Sequence, residues 1–123
     1  MKTVGEPIRV AHIVTRMNTG GVAVLIAELF KGYDRQAFEF TLVTGRCQSG
    51  EEDYLQAHGL NLNEIQVSSM NRSLNPLKDL VAFIRILKIL NKLKPDIVHT
   101  HTSKAGLLGR IAAKVVSPSS KVV

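Results

Sequence analysis

The stretch Asp96–Gly106, reading DIVHTHTSKAG, constrains the fold more than any other part of the chain. A short β-branched run, Ile97 and Val98, ends in the alternating histidines His99 and His101. Thr102 and Ser103 follow as candidate helix N-caps, and the small-residue run from Lys104 to Val116 has helical spacing. This is a buried strand feeding a helix, with polar side chains massed at the junction. In open α/β sheets, ligands bind at that junction, beyond the carboxyl end of a strand.

The rest of the chain repeats the pattern. Ile8–Val14 predicts a first strand, apolar enough to be buried on both faces. Asn18–Gly21 predicts a turn, Val22–Lys31 a helix stopped by Gly32, and Phe38–Thr44 a second strand. A short acidic-headed helix is expected from about Glu51 to His58, closed by Gly59, and then a third strand over Leu60–Val67. Pro76 suits a first helical turn, and Leu77–Leu93 predicts the longest helix, stopped by Lys94–Pro95. Lys121–Val123 reads as the opening of a fifth strand. Four strand–helix repeats imply right-handed crossovers onto a parallel sheet with helices on both faces. A chain that stops as a strand opens reads as truncated.

In such a sheet the first and fourth strands are neighbours, and their connections leave towards opposite faces. The loops Thr15–Gly21 and His101–Ser103 should then flank one crevice, each opening a helix whose N–H groups attract an anion. Gly20 and Gly21 would admit a ligand close to the backbone. Arg16, Arg46, Arg72 and Lys104 lie at or beyond the four strand ends; Arg16 and Lys104 flank the switch point. Arg46 and Arg72 are equally well explained as ordinary loop cations. A dinucleotide site would want three spaced glycines and a carboxylate ending the second strand, which ends instead in Val43, Thr44 and Gly45. NAD is therefore disfavoured, and no cofactor is expected.

His99 and His101 share a side of their strand at period two. Zinc would need a third ligand, which no neighbour in sequence supplies, so no metal site is expected. His101, nearer the rim, is the better candidate to meet a ligand; His99 is expected to pack the strand end, and His12 and His58 to be structural. The helix Leu77–Leu93 is apolar over more than half its circumference, with a narrow basic stripe of Lys78, Arg85, Lys88 and Lys92. A core helix with one solvated edge is the simpler reading, ahead of a membrane-surface role.

The 123 residues suffice for one core, and their net charge of +6 favours an anionic partner. With two Tyr, four Phe and no Trp, a stacking platform for single-stranded nucleic acid is disfavoured, and no nucleic-acid partner is expected. The single cysteine, Cys47, excludes an internal disulfide. No run approaches the roughly 18 apolar residues of a membrane span. A cytoplasmic protein is expected, with peripheral contact at the inner membrane face as a further possibility.

TRMNTGGVAVLIAEL (Thr15–Leu29), SLNPLKDLVAFIRILKILNKLKPDIVHTH and KPDIVHTHTSKAGLLGRIAAK (Lys94–Lys114) resemble the N-terminal domain of glycosyltransferase family 4-like enzymes of the GT-B fold. The resemblance implies a Rossmann-like domain, here partial over residues 1–123, without the C-terminal donor-binding domain. It implies sugar transfer from a nucleotide-sugar donor to a glycan or lipid-linked acceptor, with retention and usually without a metal. Gly20 and Gly21 match the double-glycine loop, and His101 the second histidine of a His-x-His pattern near the reacting centre. Ser103 and Lys104 match positions suited to acceptor phosphate or hydroxyls, and Arg16 joins them as a candidate from its place at the switch point. An isolated fragment is expected to be inactive. The alternatives are a non-catalytic α/β module that binds a phosphate-bearing ligand or a partner domain, and a small receiver or flavodoxin-like module. The last should carry an acidic cluster or a fuller phosphate loop, and neither is visible.

Overall fold

The computed structural model describes residues 5–123. Nine elements follow in order: β1 (Ile8–Val14), α1 (Gly21–Gly32), β2 (Phe38–Thr44), α2 (Tyr54–Ala57), β3 (Glu64–Gln66), α3 (Pro76–Leu93), β4 (Ile97–Thr100), α4 (Ser103–Val116) and β5 (Lys121–Val122). The strands form one parallel sheet in the order β3-β2-β1-β4-β5. The order in which strands are added reverses between β1 and β4, so the expected switch point lies at the centre of the sheet.

Period-two alternation divides the strand side chains between two cores. Ala11, Ile13, Val43 and Val98 pack under α3 and α4 with Ala82, Ile86, Leu90, Ala105 and Ala112. Val14 and Leu42 face the other way, against Ala23, Ile26 and Phe30 of α1 and Leu55 of α2. Helix α4 sits low on the sheet because its inner face is Ala105, Gly106, Gly109, Ala112 and Ala113. A Cβ at Gly109 would come within 2.9 Å of Thr100 Cγ2 and 3.0 Å of Ile13 Cδ1. This close seating brings the first turn of α4 to the rim.

Local chemistry sets the ends of α3. The Asn75 side chain accepts from the Lys78 amide, Pro76 occupies the first turn, and Lys94 ends the helix in a left-handed conformation (φ 47°) before Pro95. Two expectations need correction. The helix expected from Glu51 shrinks to Tyr54–Ala57, because Asp53 caps it by accepting from the amides of Leu55 and Gln56. Glu51 and Glu52 instead strap the β1–α1 loop: Thr19 donates to the Glu52 carbonyl (2.8 Å) and carboxylate (2.6 Å), and the Tyr54 amide donates to Met17 O (2.7 Å). The strand expected over Leu60–Val67 pairs with β2 only at Glu64–Gln66, as the edge of the sheet.

Candidate functional site

The two central corners are joined directly. The Thr15 amide donates to Thr102 Oγ1 (2.9 Å), the two threonine hydroxyls share a 2.6 Å hydrogen bond, and the His101 amide donates to Ile13 O (3.0 Å). Thr15 Oγ1 also accepts from the Ala105 amide at 3.3 Å. Thr102 is the N-cap of α4, yet its hydroxyl is spent on Thr15 rather than on its own helix. Gly20, the N-cap of α1, has no side chain to offer. Neither N-cap residue bonds its own helix, so apart from the Ala105 amide held by Thr15, the first amides of both helices are left at the rim for an anion.

Thr15, Arg16, Arg72, Thr102, Ser103 and Lys104 line a hollow of about 560 Å³ on one side of this junction, with Leu74, Leu107 and Leu108 as apolar wall. His101 opens on the other side of the same helix start, onto a hollow shared with Thr102, Ser103 and Arg110. Gly20 and Gly21 are exposed at the start of α1 and line neither hollow; a Cβ on Gly21 would meet nothing within 4 Å. Arg46 faces a different hollow, with Cys47 and Glu51. Of the four strand-end cations, the structure brings Arg16, Arg72 and Lys104 together and leaves Arg46 apart.

Carboxylates hold two of those cations in place. Arg16 Nε donates to Glu51 Oε2 at 2.8 Å, and Lys104 Nζ donates to Asp79 Oδ1 at 2.9 Å and to Ser73 O. The Gln48 amide and the Arg16 guanidinium hold the Glu51 carboxyl below its usual range. The cations are thus positioned before any ligand arrives, which lowers the ordering cost of binding one.

His12, His99 and His101 gather on the α1 side of the sheet. Register pairs His12 with His99 across β1 and β4. His12 Nδ1 lies 3.0 Å from His101 Nε2, while His99 is half-buried and stacks on His101 with ring centroids 4.1 Å apart. Burial and the neighbouring His101 and His99 push the His12 imidazole down to about 3. Burial, then His99, push His101 down to about 4, and burial lowers His99 as well. All three rings are neutral near pH 7, so His101 works there as a neutral hydrogen-bonding group.

The sheet thus supplies the third nitrogen ligand that sequence neighbours lacked: one ligand atom from each ring lies within 4.8 Å of the others. The His99 and His101 planes are inclined by only 27°. Their in-plane lone pairs therefore run side by side rather than converging, so the rings as placed form a hydrogen-bonded pair with a third ring stacked on it. His12 is nearly fully buried against Phe30 and Phe40, and its Nε2 has no hydrogen-bond partner.

Sequence reasoning missed Thr15 and Thr102 as a pair, His12 as the neighbour of His101, and Arg110. Helical spacing from Gly106 was a usable signal for Arg110. It also missed Gly45, where a Cβ would stand 2.0 Å from Met70 O and 2.2 Å from Thr15 O. No side chain fits there, because the loops after β1, β2 and β3 converge on that point.

Comparison with known proteins identifies the family and the fold. The chain is 34% identical over 116 residues to the UDP-Gal:alpha-D-GlcNAc-diphosphoundecaprenol alpha-1,3-galactosyltransferase of Escherichia coli, a match covering 94% of this chain and 29% of that protein. It therefore spans less than a third of that relative's length. Its fold is similar to the apo form of the lipopolysaccharide outer core galactosyltransferase WaaB (TM-score 0.67, 17% identity, covering 94% of this chain and 32% of the other). It is equally similar to the UDP-GlcNAc 2-epimerase of Methanocaldococcus jannaschii in complex with UDP-GlcNAc and UDP (TM-score 0.68, 16% identity, 94% and 32%). At such identities the structural likeness establishes the GT-B type of fold and leaves the reaction to other observations. The family model described as Glycosyltransferase Family 4 matches residues 19–123, and the chain belongs to that family.

Proposed function

We propose that this chain forms the acceptor side of a retaining glycosyltransferase that moves a sugar from a nucleotide-sugar donor onto a lipid-linked diphosphate acceptor. The supporting observation is the joining of the β1–α1 and β4–α4 corners through Thr15 and Thr102. The reading rests on that junction together with two helix starts whose first amides are open, positioned cations and a neutral His101. In the transfer, the bond from the anomeric carbon to the donor diphosphate breaks, and a bond to an acceptor hydroxyl oxygen forms. The hydroxyl proton leaves with the departing diphosphate.

Helix amides and cations suit the negative charge of such substrates. Arg16, Ser103 and Lys104 would take the acceptor diphosphate, whereas the backbone at Gly20 and Gly21 would approach the donor phosphates. His101 would hold the reacting sugar by hydrogen bonds, as a neutral imidazole. The lipid-linked acceptor class is suggested by the name of the Escherichia coli relative and fits the hollow's pairing of cations with a leucine wall.

Residues 5–123 alone would bind without turnover, because their hollows open to solvent and supply a single wall. Charge stabilisation at the reacting carbon needs preorganised groups on both sides. Replacing His101 with Ala in a full-length transferase carrying this segment should lower kcat by about 10²-fold or more, with little change in folding. An undiminished kcat would overturn the role of His101.

A further inference from the structure

We propose that His12 is a positioning residue: it holds His101 in the tautomer that carries its proton on Nδ1, so that His101 offers its hollow a hydrogen-bond donor. The effect on catalysis rests on the proposed hold of His101 on the reacting sugar; the effect on the tautomer does not. His12 Nδ1 and His101 Nε2 stand 3.0 Å apart. Their ring centroids are 5.2 Å apart and the ring planes are inclined by 25°. With nitrogens so close and ring centres so far, the two imidazoles meet edge to edge, in the plane that contains both the N–H and the lone pair. His99 differs, because its ring lies over the face of His101, at 4.1 Å between centroids, rather than along its edge.

One proton occupies that contact, and the surroundings of His12 decide which ring supplies it. His12 is 2% exposed, lies against Phe30 and Phe40, and leaves its Nε2 without a partner. A neutral imidazole has one N–H and one lone pair. Were His101 the donor, the proton of His12 would sit on Nε2, as a buried N–H with no oxygen or nitrogen to receive it. With His12 as the donor, Nε2 keeps only a bare lone pair among the phenylalanines. Orphaned buried N–H groups are rarer than under-satisfied acceptors. The shared proton is therefore on His12 Nδ1, and His101 Nε2 accepts it.

With Nε2 of His101 engaged as an acceptor, the one proton of that ring is on Nδ1. His101 lines the hollow it shares with Ser103 and Arg110. Its Nδ1 is the nitrogen left for a ligand there, and it can donate but not accept. Arg110 likewise only donates. Such a lining selects an oxygen with free lone pairs, such as a sugar hydroxyl acting as acceptor, and leaves the imidazole no lone pair with which to take a proton. His101 thus orients the sugar and does not serve as a general base. This matches the proposed transfer, in which the hydroxyl proton leaves with the diphosphate.

The test is ¹H–¹⁵N correlation through the carbon-bound ring protons of the ¹⁵N-histidine-labelled chain near pH 7, which tells a protonated ring nitrogen from a bare one. A protonated Nδ1 and a bare Nε2 are expected on both His12 and His101. In His12→Phe, His101 should shift towards the Nε2–H form, which histidine favours unaided. Protonated Nε2 on His101 in the wild-type chain, a pattern averaged between the two forms, or an unchanged Nδ1–H pattern in His12→Phe would each overturn the proposal. The wild-type measurement stands by itself if His12→Phe folds poorly.

In a full-length transferase carrying this segment, His12→Phe should lower kcat about tenfold or more and leave the acceptor KM within about twofold. A switched tautomer with undiminished kcat would overturn the positioning role of His12. The tautomers are read without turnover, so an unexpected pattern leaves the sugar-transfer reading standing. An active His101→Ala enzyme would overturn the role of His101 in transfer and leave the tautomer result as measured.

Discussion

His12 shows at the level of one residue what the site demands of its surroundings. It is nearly fully buried, with one nitrogen against His101 and the other unpartnered. Its folded-state pKa of about 3 lies below the usual 6.5, so the unfolded chain takes up a proton that the folded chain refuses. Stability is therefore unaffected above about pH 6.5 and is lost as pH falls from there towards 3. Between pH 7 and pH 5, urea denaturation should show a loss of about 2 kcal/mol from His12, with His101 adding in the same direction. His12→Phe should flatten that slope; a wild-type stability equal at the two pH values would contradict the burial argument.

Lys104 makes a separate case. Lys104→Ala should weaken binding of a diphosphate-bearing acceptor about tenfold and hardly affect a neutral one, by calorimetry. Equal losses for both would mean that Lys104 only braces Asp79. That His99 and His101 share a side was legible, because period two needs no knowledge of neighbours. The approach of His12, 89 positions from His101, depends on strand register, which no local pattern contains.

Among the elements, the ends of α3 and β1 could be read from the chain because each is set by its own residues, such as Asn75, Pro76 and Pro95. The reach of α2 could not. Glu51 and Glu52 suit the first turn of a helix, and only tertiary contacts with Arg16 and Thr19 divert them into a strap. Gly45 was equally hidden, since its lack of a side chain matters only once the Thr15 and Met70 carbonyls close around it. Gly45→Ala should force those loops apart and destabilise the fold by about 3 kcal/mol, measured by urea denaturation at pH 7. A loss below about 1 kcal/mol would show that the loops give way easily, and that their convergence does not hold the rim.

For the molecule as a whole, strand–helix alternation was enough to foretell the parallel sheet and its central switch point, because crossover handedness leaves few topologies. Helix α3 is a core helix with a solvated edge, as read from the sequence, but how many apolar residues that edge carries was not legible. An apolar arc wider than half a helix signals burial in general, yet Leu77, Leu80, Val81 and Ile84 lie outside the core that Ala82, Ile86 and Leu90 enter. The central claim is that the β1–α1 and β4–α4 corners form one anion-binding rim. Titrating the ¹⁵N-labelled chain with a short-chain polyprenyl diphosphate and following amide shifts tests it most directly. The largest shifts are expected at Ser103 and Lys104, whereas a nucleoside diphosphate should shift Gly21–Ala23. Shifts centred instead on Arg9, Glu39 and Lys92, which line a hollow near the opposite strand ends, would contradict it.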